Sequence, residues 1–237
     1  MHQYLTPTYY IESTHKAVVE FAESRTRGAT DETGRAVRLF YAVRDEIRYN
    51  PYLYSFDREQ YRASVALDRM EGWCVQKAIL LAAASRAIGI PCRLGYANVV
   101  NHLTTKRMRE LMGTSLFVFH GYNEFYLSGR WVKATPAFNL ALCEKFGIRP
   151  LEFDGVNNSV FHPFDMSGQR HMEYVHDYGS FADFPFQMMV DESLKYYPTL
   201  AERMLNSSDG RAYTGGDDPE LAHYSTGPLP GMNFPRK

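Results

Sequence analysis

GWCVQKAILLAAASRAIGIPCR, residues 72–93, reads as one buried helix with a cysteine in its first turn. Alanine and leucine are strong helix formers, and apolar residues on every face of the run predict a helix packed centrally rather than on a surface. Gly89 and then Pro91 supply stop signals in the expected order. Small Gly72 lets the chain turn sharply into the helix. Cys74 then falls at the amino terminus, where about half a positive charge favours the thiolate. The free backbone N–H groups of such a terminus also suit the oxyanion of an acyl-transfer reaction.

Upstream, residues 14–24 and 32–49 read as helices. In the second, Ala36, Phe40, Val43 and Ile47 form one apolar stripe at three-and-four spacing, and Asp31 is its expected cap. Asn50-Pro51 ends it, because the residue before proline is pushed out of the helical region. A tyrosine-rich loop, residues 51–61, follows. Downstream, residues 92–100 read as a strand. Residues 101–113 form a polar, basic excursion with a short helix, placed to move over the site. Residues 116–127 and 130–134 read as an antiparallel pair joined by Ser128-Gly129, a two-residue loop of the kind tight hairpins require. Helices followed by a cysteine-bearing helix on an antiparallel sheet define an α+β fold.

A thiol nucleophile needs a histidine that takes its proton and returns it to the leaving group. His120, in the strand LFVFHGYNEFYL, is the candidate, and the Gly121 beside it leaves room for a substrate or for the Cys74 helix. A histidine next to glycine in mid-strand is not what core packing asks for.

Together GWCVQKAILLAAASRAIGIPCR and HGYNEFYLSGRWVKATP (residues 120–136) resemble the transglutaminase-like superfamily, and in particular its bacterial members. The carriers are a G-x-C helix start, a Gly-Ile-Pro-x-Arg step into a strand, and an H-x-x-x-E-x-Y…G-x-W strand pair. Gly72, Cys74, Gly89, Ile90, Pro91, Arg93, His120, Glu124, Tyr126, Gly129 and Trp131 match in order, across residues 66–139. The resemblance implies a papain-like fold and thioester-forming hydrolysis or acyl transfer. One departure matters: the place where the family carries Asp, in a W-x-x-x-D-P context, holds Thr135. A threonine hydroxyl can hold the imidazole tautomer but brings no negative charge to the imidazolium. Asn139 is the other candidate for that third role.

Other residues carry plainer readings. Cys92 and Cys143 are expected to be packing thiols, Glu124 a structural partner in the sheet, and Trp131 a packing group. Trp73 adjoins the nucleophile and is placed to line its groove. Tyr54 and Tyr61 are candidate oxyanion donors, and no motif chooses between them. His162, His171 and His176, with Asp165, Glu173 and Asp177, have irregular spacing and lack an H-E-x-x-H helix, so no metal is expected. No cofactor is expected either, and no calcium-loop signature occurs.

With 237 residues, one domain with embellishments is expected. Residues 1–150 form the catalytic domain and 151–237 an extension that wraps it without sustained periodicity. Residues 206–237, rich in Gly, Pro and Asp, read as a loosely ordered tail that docks through Tyr213, Tyr224 or Phe234. The run FDG…HPFD…HMEYV resembles the extension of a bacterial branch of the same superfamily. A net charge of −1 with interspersed signs gives no stripe for nucleic acid or an anionic membrane. Three cysteines without C-x-x-C spacing, no signal peptide and no membrane-length apolar run point to a cytoplasmic protein. The leading function is a cysteine-dependent amide or peptide hydrolase or acyl transferase acting on a peptide, protein or small amide. The rival is a catalytically silent module that binds peptides or partner proteins in the former active-site groove.

Overall fold

The computed structural model describes residues 1–207. In chain order its regular elements begin with α1 (Lys16–Thr26), α2 (Glu32–Glu46), β1 (Arg48–Tyr49), α3 (Ala63–Arg69) and β2 (Glu71–Gly72). Next come α4 (Cys74–Ala87), β3 (Cys92–Asn101), α5 (Lys106–Met112), β4 (Leu116–Leu127) and β5 (Arg130–Ala134). The chain continues through α6 (Leu140–Phe146), β6 (Met172–Phe181), α7 (Phe186–Tyr196) and α8 (Pro198–Leu205).

Helix α4 is the hub. Residues Cys74 to Arg86 are all buried, because α1, α2 and α3 pack around one side and β3 and β4 close the other. Each fully buried Leu or Ile there contributes roughly 1.5–3 kcal/mol, which offsets the loss of the solvated face that a surface helix keeps. The four-stranded antiparallel sheet runs in the order β5-β4-β3-β6. Ser128 and Gly129, at φ 51° and 83°, make the tight turn from β4 to β5. The α2 stripe of Ala36, Phe40, Val43 and Ile47 is buried, and Asp31 accepts the Gly34 N–H at 2.8 Å as its cap. Helix α2 ends three residues before the expected 49, because Arg48 and Tyr49 pair in parallel with Glu71 and Gly72 just ahead of Cys74. That pairing fixes where α4 begins.

Lys77 lies fully buried one turn into α4. Its Nζ donates to the carbonyls of Arg44 at 2.9 Å and Ile47 at 2.6 Å, which are orphan acceptors at the end of α2. The amine therefore ties the hub helix to α2, and burial there holds its pKa well below the usual lysine value.

The region after residue 150 carries regular elements that its sequence pattern did not suggest. Strand β6 hydrogen-bonds to β3 along its length, from Leu94↔Phe181 to Asn101↔Met172, so the sheet crosses the expected boundary at residue 150. It escaped the sequence pattern because residues Glu173 to Tyr178 are largely exposed; an edge strand with a solvated face and two register shifts shows no clean alternation. Helices α7 and α8 were likewise not expected, being short and split by Tyr197-Pro198. Most of the tail assigned to 206–237, with Tyr213, Tyr224 and Phe234, lies outside the described residues.

Candidate active site at the head of the central helix

Cys74 occupies the first position of α4 and is 5% exposed. Gly121 of β4 abuts it: a Cβ there would lie 3.0 Å from Val75 Cα and 3.3 Å from the Cys74 carbonyl oxygen. The room that Gly121 leaves is thus taken by α4, and any larger residue would push the helix off the strand. The Gly121 N–H also donates toward the Cys74 sulfur, as do the N–H groups of Cys74 and Val75. The head of α4 therefore rests on Gly121, the residue that follows His120 in β4.

Strand β4 is distorted just where His120 leaves it. Ala97 pairs with His120 but Val99 pairs with Phe117, so β4 carries one extra residue opposite Asn98. Phe119 absorbs the bulge with a φ of 63°, and its N–H donates to the Asn98 side chain at 3.1 Å. A left-handed conformation is costly for a phenylalanine, and bulges of this kind re-aim the next side chain. No sequence pattern announced it.

His120 is buried, and its ring packs on Phe161 with centroids 4.9 Å apart. Its Nε2 has no hydrogen-bond partner among the described residues. Burial pushes the imidazole down to about 3 and the Cys74 thiol up to about 12. This corrects the expectation of a thiol lowered by the helix terminus. The backbone donors do lower it, with Lys77 adding a smaller pull, but removal from water outweighs them. The closed site holds a neutral thiol and a neutral imidazole.

Thr135 follows β5 and lies beside Tyr174, whose phenol its hydroxyl helps to hold down against burial. The Thr135 hydroxyl is buried without a partner of hydrogen-bonding geometry among the described residues. Asn139 is placed elsewhere. Its amide donates to the carbonyls of Arg44 and Ile47 and its oxygen accepts the Tyr49 N–H at 2.7 Å. It shares with Lys77 the work of closing the end of α2, and its hydrogen-bonding capacity is used there.

The aromatic candidates separate in the same way. The Tyr54 hydroxyl is paired with Ser193 Oγ, and the Tyr61 hydroxyl donates to the Ser55 carbonyl at 2.7 Å. The Trp73 indole N–H is buried with no such partner among the described residues, and so is the Tyr96 hydroxyl. Tyr96 pairs across the sheet with Gly121, the residue that touches α4, and stacks on Phe119 at 4.6 Å. The sequence reading missed it; only its position opposite Gly121, which pairing reveals, marks it out.

Glu124 pairs with Arg93 and accepts from Ser180 at 2.8 Å, within the sheet. Arg93 in turn lies over Trp131 at 4.0 Å. Cys92 and Cys143 are buried free thiols. His171 is buried against Phe161, whereas Asp177 meets Lys133 at 3.3 Å and His176 packs on Tyr178. Among the described residues no group of three or more His, Cys, Asp or Glu is arranged to hold a metal, and no helix is long and apolar enough to cross a membrane.

An α+β core whose central helix presents a cysteine to a histidine-bearing strand defines a papain-like class. Residues 19–136, about half of the chain, match the family model described as the transglutaminase-like superfamily, and the chain belongs to that superfamily. Among solved structures it is similar to a candidate cysteine protease from Cytophaga hutchinsonii, at 16% identity and a TM-score of 0.44, over 75% of this chain and 53% of that one. It is also similar to a candidate protease from Parabacteroides distasonis, at 17% identity and a TM-score of 0.39, over 59% of this chain and 26% of that one. This chain thus spans about half the length of the first and about a quarter of the second. No curated protein matches it.

Proposed function

We propose that the protein is a cysteine-dependent amide or peptide hydrolase or acyl transferase. The observation that supports this reading is the Gly121 contact, which sets the head of α4, and with it Cys74, against the residue that follows His120 in β4. His120 takes the thiol proton as the sulfur attacks the amide carbonyl. The oxyanion that forms is met by the α4 N–H groups, with the unpartnered Trp73 indole and Tyr96 hydroxyl as side-chain donors. Collapse breaks the C–N bond, His120 returns the proton to the leaving amine, and a thioester remains on Cys74. Water then releases an acid, or an amine releases a new amide.

Thr135, not Asn139, is the residue proposed to orient the imidazole, because its hydroxyl has no partner of hydrogen-bonding geometry among the described residues, whereas the Asn139 amide is engaged at both ends. The neutral resting pair fits an enzyme that becomes reactive only when Phe161 moves off His120 and the site is solvated or filled.

The test is to incubate the protein with glutamine-bearing peptides and follow ammonia release, chain cleavage and incorporation of a labelled amine, with intact mass for an acyl adduct. An adduct on Cys74 that is absent in Cys74→Ala is the expected result. Turnover that persists in Cys74→Ala, or no adduct and no turnover with any substrate, would sink the reading.

A further inference from the structure

A narrow cleft of about 50 Å³ opens at Trp73, the residue before the nucleophile, and is lined also by Tyr54, Met108, Met112, Val118 and Leu200 among others. Trp73 immediately precedes Cys74, and Val118 lies in the bulged stretch that leads to His120. Helix α5 forms one wall and α8 another.

The chemistry of the wall is uniform. Among the described residues no charged side chain lines it. Two tyrosines in it have their hydroxyls committed within the fold. Tyr54 is paired with Ser193, and Tyr197 donates to the Leu116 carbonyl while accepting the Val118 N–H, both at 2.6 Å. Those rings present their apolar faces. A carboxylate or ammonium placed here would lose its hydration without a counter-charge, which disfavours it strongly. Met108 and Met112 are the flexible, polarisable side chains that adapt to a bulky apolar guest. On the far side of Met108 a second cleft of about 50 Å³, sharing Tyr49, Pro51, Met108 and Phe117, extends the groove along the same wall.

From this we infer that the cleft is the specificity pocket of the site and takes an amide whose acyl part bears an aromatic or long aliphatic side chain next to the reacting carbonyl. The inference rests on the proposed cysteine chemistry for its orientation, with the carbonyl at Cys74 and the side chain against Trp73.

The experiment uses the full chain and chloromethyl ketones that differ only in the side chain beside the reactive carbon: phenylalanyl, leucyl, glycyl and aspartyl. Labelling of Cys74 is followed by intact mass. The phenylalanyl and leucyl probes are expected to label about tenfold faster, or more, than the glycyl and aspartyl ones. Leu200→Trp, which fills the cleft from α8, collapses the phenylalanyl-to-glycyl ratio, and Met112→Trp, which fills it from α5, does the same if the first variant does not fold. Equal rates with all four probes, with Cys74 labelled, would overturn the pocket and leave the cysteine chemistry standing. The converse is read on Cys74→Ala from tryptophan fluorescence. A change with N-acetyl-phenylalaninamide but not with the aspartyl analogue supports the pocket even if no probe labels Cys74, a result that would overturn the proposed function alone.

Discussion

Two buried polar groups of residues lie one helical turn apart on α4 and are treated oppositely by the fold. At Lys77 and Asn139 each buried side-chain N or O atom has a partner: the Arg44 and Ile47 carbonyls each receive both side chains, and Asn139 accepts from Tyr49. Around Cys74 the reverse holds. Trp73, Tyr96, His120 and Thr135 each leave a buried polar atom unmatched among the described residues. An unmatched buried group costs about 1–3 kcal/mol, and a chain has no structural reason to gather such groups in one place. The satisfied cluster holds the molecule together; the unsatisfied one is where a ligand would supply the missing partners.

Breaking the satisfied cluster should have the largest effect. Lys77→Ala takes one of two side-chain donors from each carbonyl and opens a cavity, so a loss of about 3 kcal/mol is expected in urea unfolding, with Asn139→Ala near half of that. If Asn139→Ala instead spared stability and altered the pH profile of activity, its place in this cluster would be misread. Phe161→Ala comes next. It removes the ring that dries His120, at about 3 kcal/mol of stability, and should move the imidazole from about 3 toward its usual 6.5 in histidine NMR titration.

The pH dependence of stability sharpens the same contrast. The folded imidazole is held below its unfolded value, so between about 6.5 and 3 the unfolded chain binds the extra proton. Its contribution is therefore intact above 6.5 and lost as pH falls toward 3, at about 1.4 kcal/mol per pH unit. His120→Phe should flatten that part of the curve relative to the parent protein; an unchanged slope would mean that His120 is not dry. The smallest effect is expected at Thr135→Val, which trades an unmatched hydroxyl for a methyl and should change stability by less than about 0.5 kcal/mol. Thr135→Asp is the informative companion: with Thr135 in its proposed role, a carboxylate at that position should raise the imidazole pKa.

What could be read from the sequence was set by local and repeated signals. The limits of α4, the β3 strand and the β4–β5 hairpin follow from an apolar helix, a Gly-Pro stop and a two-residue loop, and each needs only its own neighbours. Strand β6 was invisible because its stability comes from the edge of β3, far away in sequence, while its own residues are mostly exposed. The site divides similarly. Cys74 and His120 stand in motifs, whereas the bulge at Phe119, the unpartnered Tyr96 and the Phe161 cover depend on pairings made only in the folded chain. Asn139 illustrates the cost of reading chemistry from residue type alone: an amide near the right place in sequence closes a helix instead.

The central claim is that Cys74 and His120 work as a pair that the closed fold keeps neutral. The most direct measurement is the rate of Cys74 alkylation by iodoacetamide from pH 5 to 10, in the parent protein, in Phe161→Ala, and in Phe161→Ala combined with His120→Ala. The account expects slow alkylation in the parent at neutral pH, a gain of about tenfold or more on removing Phe161, and loss of that gain when His120 is removed as well. A gain that survives without His120, or no gain at all, would contradict it and leave Cys74 as an inert thiol in the core of a binding module.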